Sequence, residues 1–546
     1  MKRPWCSWPR QLGAPALLLA ALTGWIFLWT LTNPLGTAPD EPSHYAKAVA
    51  AGHGQVLGEP VPLARLRSFG VFSEDSLRQV RNAYRGFELP PELRTTTNPP
   101  CTALQATVSA ACLRQPLAVP PGRAESIVGA YPPLMYISEG VLTRAAWSVR
   151  SGYVFARFGS ALISAVLLAA ATWLLLGGQG RPGRRPLALA GTAVAVTPMV
   201  IFLGSQVGAS GTELTGALAC AAAALRLSRE EQPPARVWWV AGVVMGVTAL
   251  SRPMAPLWIV LAAALGVGRL SPRTAWHRLR GGGRPAAAAV AIVMLGLAGS
   301  VLWTQALSLR TPVLWGRLGH GLVIATETAA ESARQTIGVF GWQSVPLPTA
   351  LYGLWTLLAG GLFLAAFVVG RWRDRALLAG GLLVVVVLYE LLAAAVFIQN
   401  GFGMQGRYIL PALVMLPLLS VEVLADRLPA RLSARAAVAA AGVIAVSGAG
   451  QFAAWLTNSH RYAVGPDGPL WFFLRHPAWS PPGGWAPWTA LACVPMIAAF
   501  AAARAAHRDA VAATAPAVGP GSSPDPDSFQ RDYISLRTWH MRPTRR

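Results

Sequence analysis

The sequence is poor in charge. Asp, Glu, Lys and Arg make up only 13% of its 546 residues, about half the usage of soluble domains. An ordinary soluble globule is therefore excluded, and so is a disordered chain, which needs low hydrophobicity with high charge. Acidic side chains are scarcer than basic ones, 23 against 46, for a net +23. Lysine is nearly missing: Lys2 and Lys47 are the only two. A shortage that deep points to arginine-rich codon usage rather than to chemistry. Five cysteines occur, with no Cys-x-x-Cys pair and no zinc-type Cys/His spacing. Also missing are a Walker loop, a dinucleotide fingerprint, a nucleophile elbow placed on a strand, a solenoid repeat and sustained heptads.

Long apolar runs are what the chain has in place of charge. Hydrophobic residues reach 53% and mean hydropathy is +0.44. Twelve segments approach the roughly 20 apolar residues that a membrane helix needs: 14–32, 158–176, 187–203, 207–226, 236–250, 254–270, 286–308, 349–369, 376–398, 408–424, 436–456 and 487–503. The expected fold is an all-α polytopic membrane protein of about twelve transmembrane helices. The first run is longer than the h-region of a signal peptide and reads as an uncleaved anchor.

Arginine placement orients these spans, because cytoplasmic loops carry the basic excess. With residues 1–13 cytoplasmic, the inner loops receive Arg181, Arg184 and Arg185, then Arg229 and Arg236, Arg273 to Arg284, Arg371 to Arg375, and Arg427 to Arg435. The short turns 204–206 and 399–406 hold none. The +23 is thus largely a topology signal, and nucleic acid is not an expected partner. The membrane domain spans 14–503. Three segments fall outside: a large first loop, 33–157, then 309–348 and 457–486. The Pro/Gly/Ser/Ala-rich tail, 504–546, reads as a disordered cytoplasmic extension.

Four places could carry chemistry. Pro39-Asp40-Glu41-Pro42-Ser43-His44 follows the first span, with Pro42 suited to a first helical turn. Asp40, Glu41 and His44 could bind a divalent cation, a carboxylate among them could act as general base, or they could be a helix cap with solvated charges. Glu213 lies inside the fourth span, where an ionisable residue either serves function or is structurally hydrogen-bonded. Glu390 reads as structurally paired and Glu422 as snorkelling. Arg407 and Tyr408, in Gln405-Gly406-Arg407-Tyr408, and Arg252 sit at the outer ends of spans; there an arginine can hold a lipid phosphate or snorkel to headgroups. Tyr131-Pro132-Pro133-Leu134-Met135-Tyr136 marks a chain re-entering the membrane. Cys101 and Cys112 lie in the first outer loop, where the compartment permits a disulfide; either a bridge or two free thiols fits.

The order of these pieces carries a resemblance. Pro-Asp-Glu-Pro-x-His after the first span is followed by the Cys pair, Tyr-Pro-Pro-Leu before the second span, and Ser-Gly-x-Glu at Glu213. Ile337-Gly338-Val339-Phe340-Gly341-Trp342 with Pro346 comes next, then Gln-Gly-Arg-Tyr. Over roughly residues 14–456 this resembles a bacterial family of multipass membrane proteins of unknown function, itself similar to the GT-C glycosyltransferases. The resemblance implies a plasma-membrane enzyme that moves a sugar from a polyprenyl-phosphate carrier to a glycan or lipid acceptor on the outer face. It implies a catalytic or metal-binding role for Asp40, with Glu41 second, and completes the motif with His44. Glu213 matches a family acidic position, Arg407 matches the Gln-Gly-Arg-Tyr arginine, and Arg252 is a weak match to a basic residue before proline. A divalent cation, Mg or Mn, is the cofactor such enzymes can use, and relatives differ on it. Two other readings stay open: a transporter or flippase of a lipid-linked or polar solute, and a non-catalytic scaffold for envelope assembly.

Overall fold

The computed structural model describes residues 13–68, 77, 80–113, 122–178, 183–308, 315–401, 403–475 and 477–514. Most of the expected N-terminal segment and most of the tail lie outside the described residues.

The helices are α1 (Ala14–Thr32), α2 (Glu41–Gly52), α3 (Leu63–Arg67), α4 (Leu134–Gly140), α5 (Val149–Leu176), α6 (Arg184–Ala195), α7 (Pro198–Gly204), α8 (Ala209–Arg229), α9 (Ala235–Ala249) and α10 (Ala255–Arg269). They continue as α11 (Pro272–Gly281), α12 (Gly283–Ala306), α13 (Leu318–Gly338), α14 (Thr349–Val369), α15 (Trp372–Asn400), α16 (Leu410–Leu413), α17 (Met415–Arg427), α18 (Ala430–Val464) and α19 (Trp485–Thr514). Among the described residues the sheet content is slight. Strands β1 (Glu59–Pro60), β2 (Arg85–Phe87) and β3 (Ala124–Ser126) form an antiparallel sheet in the first loop, and β4 (Val339–Phe340) pairs with β5 (Val345–Pro346).

The protein is a helical multipass membrane protein. Among the described residues seven helices are long and apolar enough to cross a bilayer: α1, α5, α12, α14, α15, α18 and α19. Two bent pairs, α6–α7 at 70° and α10–α11 at 103°, raise the number to nine if each is one span. The sequence predicted twelve. Every predicted segment contains helix, but several are too short, broken or polar to pass on their own. The reason is location. In α8 every residue except Leu227 and Arg229 is buried, so protein rather than lipid surrounds it and Glu213 is tolerated. Residues Met415–Ala425 of α17 are likewise buried. The lipid-type exposure falls on α12 and α14, where Leu295, Leu302, Leu357, Leu364 and Val368 are exposed.

Helices also outrun the apolar windows that announced them. The second span starts at Val149, and α18 continues to Val464. The predicted loop 309–348 contains α13, a helix carrying Glu327, Glu331 and Arg334, which packs along α15: Tyr389 Oη donates to the Ala325 carbonyl at 3.0 Å. The last helix runs to Thr514, so the start of the predicted disordered tail is helical.

Charges gather at one end of the bundle. Arg184 bonds Glu422 and Asp426, each at 2.5 Å, Arg229 also pairs with Glu422, and Arg269 bonds Asp426 at 2.5 Å. Glu422 is buried within this network and does not snorkel. Glu390 accepts from Thr326 Oγ1 at 3.2 Å. The residues singled out by motif lie at the opposite end, where α1 ends and α5 and α8 begin.

Candidate active site

The turn between α1 and α2 places the first two carboxylates. Asp40 has φ 60°, a left-handed conformation that costs most side chains energy and that Asp tolerates. It stands at the N-cap position of α2 yet makes no capping hydrogen bond, which removes the reading of Asp40 as a helix cap. Its carboxylate turns away from the helix instead, and Arg407 Nη2 donates to Asp40 Oδ2 at 2.7 Å. The Asp40 side chain keeps 28% of its exposure, against 6% for Arg407.

Glu41 goes elsewhere. One residue on in the helix, it faces α5, where Arg157 Nε and Nη2 donate to its two oxygens at 2.7 and 2.8 Å. Both side chains are fully buried. Arg157 also donates to the carbonyls of Thr30, Asn33 and Pro34 at 3.2, 2.7 and 2.9 Å. This pair clamps the end of α1 to the start of α2, and it takes Glu41 out of reach of a substrate.

His44 faces a third way. Its Nδ1 lies 2.8 Å from Tyr136 Oη, its ring stacks on Tyr136, and Gly208 leaves room for it: a Cβ there would stand 3.2 Å from the imidazole. Burial is the main force on His44 and pushes its pKa down to about 3; Asp40 opposes the shift, and Arg252 and Arg407 add to it. The imidazole is therefore neutral at physiological pH and acts as a hydrogen-bonding group. Asp40, Glu41 and His44 thus have three separate partners. Among the described residues no group of three His, Cys, Asp or Glu side chains is placed to hold a metal ion. The predicted cation site at these three residues does not fit the geometry, because their positions on the helix start point them to different neighbours.

The remaining candidates come together. Glu213, on α8, accepts from Arg252 Nη1 at 2.8 Å and from Trp258 Nε1 at 2.7 Å. Arg252 sits in the break between α9 and α10 and is buried rather than snorkelling. Its guanidinium lies 4.9 Å from the Tyr408 ring centroid, and that of Arg407 lies 5.1 Å from the same ring. Arg407 Nη2 also reaches Tyr408 Oη at 3.2 Å. A continuous chain of contacts results: Asp40, Arg407, Tyr408, Arg252, Glu213. Segment Gln405–Tyr408 is fixed from behind, since Gly406 N donates to Gln335 Oε1 of α13 at 2.8 Å.

Several residues at this site had no functional role assigned from the sequence. Tyr131 flanks Arg252, 5.6 Å from centroid to guanidinium, and Tyr136 holds His44; their Tyr-Pro-Pro-Leu-Met-Tyr run had been legible only as a boundary. Lys47 donates to the Gly129 carbonyl and lies 5.1 Å from the Tyr136 ring. Burial, with help from Arg85, lowers its pKa to about 7. In a chain with two lysines, one inside a helix was a signal. Glu139 is fully buried against Gly208 N, at 3.4 Å, and burial raises its pKa to about 8. Behind it, α4 and α2 touch backbone to backbone: a Cβ on Gly140 would lie 1.8 Å from the Ala48 oxygen. Cys101 and Cys112 are disulfide-bonded, with Cα atoms 6.2 Å apart, and Arg461 of α18 holds the neighbouring carbonyls of Gln105 and Val108.

No curated protein and no solved structure matches the chain. One family does, over a region that runs from α1 to the start of α17 and contains Asp40, Glu213, Arg252, Arg407 and Tyr408. Residues 23–416 match the predicted membrane protein family DUF2142, and the chain belongs to it.

Proposed function

We propose that the protein is a membrane glycosyltransferase of GT-C type, taking a sugar from a polyprenyl-phosphate donor and passing it to a glycan or lipid acceptor. The observation that carries this reading is the Asp40–Arg407 pair: an accessible carboxylate in a left-handed turn, backed by two buried guanidinium groups at the mouth of a helical bundle. In the transfer, Asp40 takes the proton of the acceptor hydroxyl as its oxygen attacks the anomeric carbon. The bond from that carbon to the phosphate oxygen breaks, and the electron pair leaves with the lipid phosphate. Arg407, with Arg252 behind it, stabilises the departing charge. Arg407 Nε is buried without a hydrogen-bond partner among the described residues, a cost of about 1–3 kcal/mol that a rearranged phosphate contact would relieve. No step requires a metal ligand set.

The orientation belongs to the same proposal. The arginine-rich end faces the cytoplasm of a bacterium, both termini lie there, and the Asp40 site opens on the outer face of the plasma membrane. The bent pair α6–α7 and the helices α8, α9, α10 and α17 complete a twelve-pass arrangement. The test is transfer by the purified full chain from a panel of polyprenyl-phosphate hexoses and pentoses, read by mass of the product. Activity lost in Asp40→Asn and in Arg407→Lys, with folding intact, supports the reading; full activity in Asp40→Asn overturns it.

The 70° break between α6 and α7 favours a second reading, transport of a lipid-linked solute, since broken helices build transporter sites. Flux in proteoliposomes that survives Asp40→Asn, with no transfer product, is the outcome that selects it.

A further inference from the structure

A second site stands at the opposite end from Asp40. There α1 and α5, both long enough to span the bilayer, leave a groove of about 390 Å³ between them. Small residues open it: Ala16 on one helix and Ala169 on the other, with Leu19, Trp173 and Leu176 completing an apolar wall. The exposed side chains of Leu162 and Val166 on α5 lie further along the same helix. At the mouth stands Arg185, in the first turn of α6. A second guanidinium, that of Arg236, lies 5.8 Å from the Trp173 ring centroid. Both arginines are exposed, and neither has a carboxylate partner among the described residues. Their neighbours are different: Arg226 is paired with Glu230 at 2.9 Å, and Arg184 with Glu422 and Asp426. Positive charge without a carboxylate partner thus borders the apolar slot, at Arg185 in its lining and at Arg236 against its Trp173 wall.

We propose that this groove binds an anionic phospholipid of the leaflet at the arginine-rich end. One acyl chain lies between α1 and α5, and the phosphate is held by Arg185 and Arg236. The argument for a lipid over a soluble anion is the slot itself, which is apolar and lies between two membrane helices. The argument for an anionic lipid over a neutral one is charge complementarity. Nothing in the assignment uses the Asp40 site.

The test is lipid retention by the full chain, purified in neutral detergent and stripped of lipid, followed by native mass spectrometry with added dioleoyl phosphatidylglycerol or dioleoyl phosphatidylcholine. Two arginines at about 1 kcal/mol each predict a preference for phosphatidylglycerol of roughly thirtyfold. Arg185→Gln with Arg236→Gln is expected to bring the two lipids to within a few-fold. Ala169→Trp fills the slot and is expected to lose both lipids; Ala16→Leu serves if that variant does not fold. Glycerol phosphate alone is expected not to displace the lipid. Equal retention of the two lipids by the wild type, unchanged preference in the double variant, or full displacement by glycerol phosphate overturns the proposal. None of these measurements reads sugar transfer, so the result stands apart from that reading.

Discussion

Replacing Glu41 by Gln separates anchoring from chemistry at the Asp40-Glu41 pair. Arg157 and Glu41 are both fully buried, so solvent does not screen them. The substitution leaves the guanidinium with its three carbonyl contacts but no counter-charge. Removing one partner of a buried ion pair costs about 3–5 kcal/mol. By size scaling over 546 residues that corresponds to a loss of apparent Tm of about 3–4 °C. Cys220, buried in α8, supplies the assay: a thiol-reactive dye labels it only when the bundle opens, in a background where Cys6 and Cys493 are serine. Because such unfolding is irreversible, the comparison is made at one heating rate. Asp40→Asn is the control. Arg407 is buried, but the Asp40 carboxylate keeps 28% of its exposure and an asparagine oxygen there can still accept from Arg407, so Asp40→Asn should lower Tm by less than Glu41→Gln does. A Glu41→Gln protein as stable as wild type would refute the anchoring role and return Glu41 to the list of reacting groups. Partial recovery in Glu41→Leu with Arg157→Leu would support the account, since that variant leaves no lone charge.

Three further outcomes are expected. Arg407→Lys should lower kcat/KM for sugar transfer by about a hundredfold, because an ammonium cannot reproduce a planar fork that serves the Pro39 carbonyl through Nη1 and Asp40 and Tyr408 through Nη2; Tm should move little. Cys101→Ser should destabilise the first loop by about 2–3 kcal/mol, the worth of closing a loop this short, read as faster tryptic cleavage between α2 and α4. The pH profile of stability should have two limbs. His44 has its pKa lowered from 6.5 to about 3, so the unfolded chain takes up the proton first and stability falls as pH drops through that window. Glu139 has its pKa raised from 4.5 to about 8, so the unfolded chain loses the proton first and stability falls as pH rises through that window, by at most about 1.4 kcal/mol per unit. Glu139→Gln should therefore gain Tm over wild type at pH 8 and match it at pH 5; equal curves at both pH values would refute a neutral, buried Glu139.

The fold was legible where lipid does the selecting. Runs such as 349–369 and 376–398 face lipid along much of their length, so their apolarity is a property of the sequence alone. It was illegible where protein replaces lipid. The run 207–226 announced α8, but that protein rather than lipid surrounds it was not in its hydropathy. The helix α13 needs only a face to set against α15, and that requirement leaves no hydropathy signal. The site divides the same way. Ionisable residues at span ends identified Asp40, Glu213, Arg252 and Arg407, because a charge near a membrane has to be explained. The partner of each was hidden, since pairing is decided across more than 300 residues in the case of Asp40 and Arg407.

The two adjacent carboxylates show why order in the sequence did not settle role. Both meet an arginine, and by type alone Asp40–Arg407 and Glu41–Arg157 are the same interaction. What separates them is how many of each arginine's donors are engaged and how much of each carboxylate water can reach. Arg157 is saturated: Nε, Nη1 and Nη2 all donate, to Glu41 and to the end of α1. Opening that pair would break the chain turn itself. Arg407 is not saturated, since its Nε has no partner among the described residues, and its carboxylate is the one that stays accessible. A phosphate arriving at Arg407 competes with the Asp40 carboxylate and with one long contact to the Pro39 carbonyl, at 3.4 Å, and leaves the Arg157 clamp on the turn untouched. The closed pair holds the turn in place, and the turn holds Asp40 at positive φ; the open pair is the one that can exchange partners during a reaction.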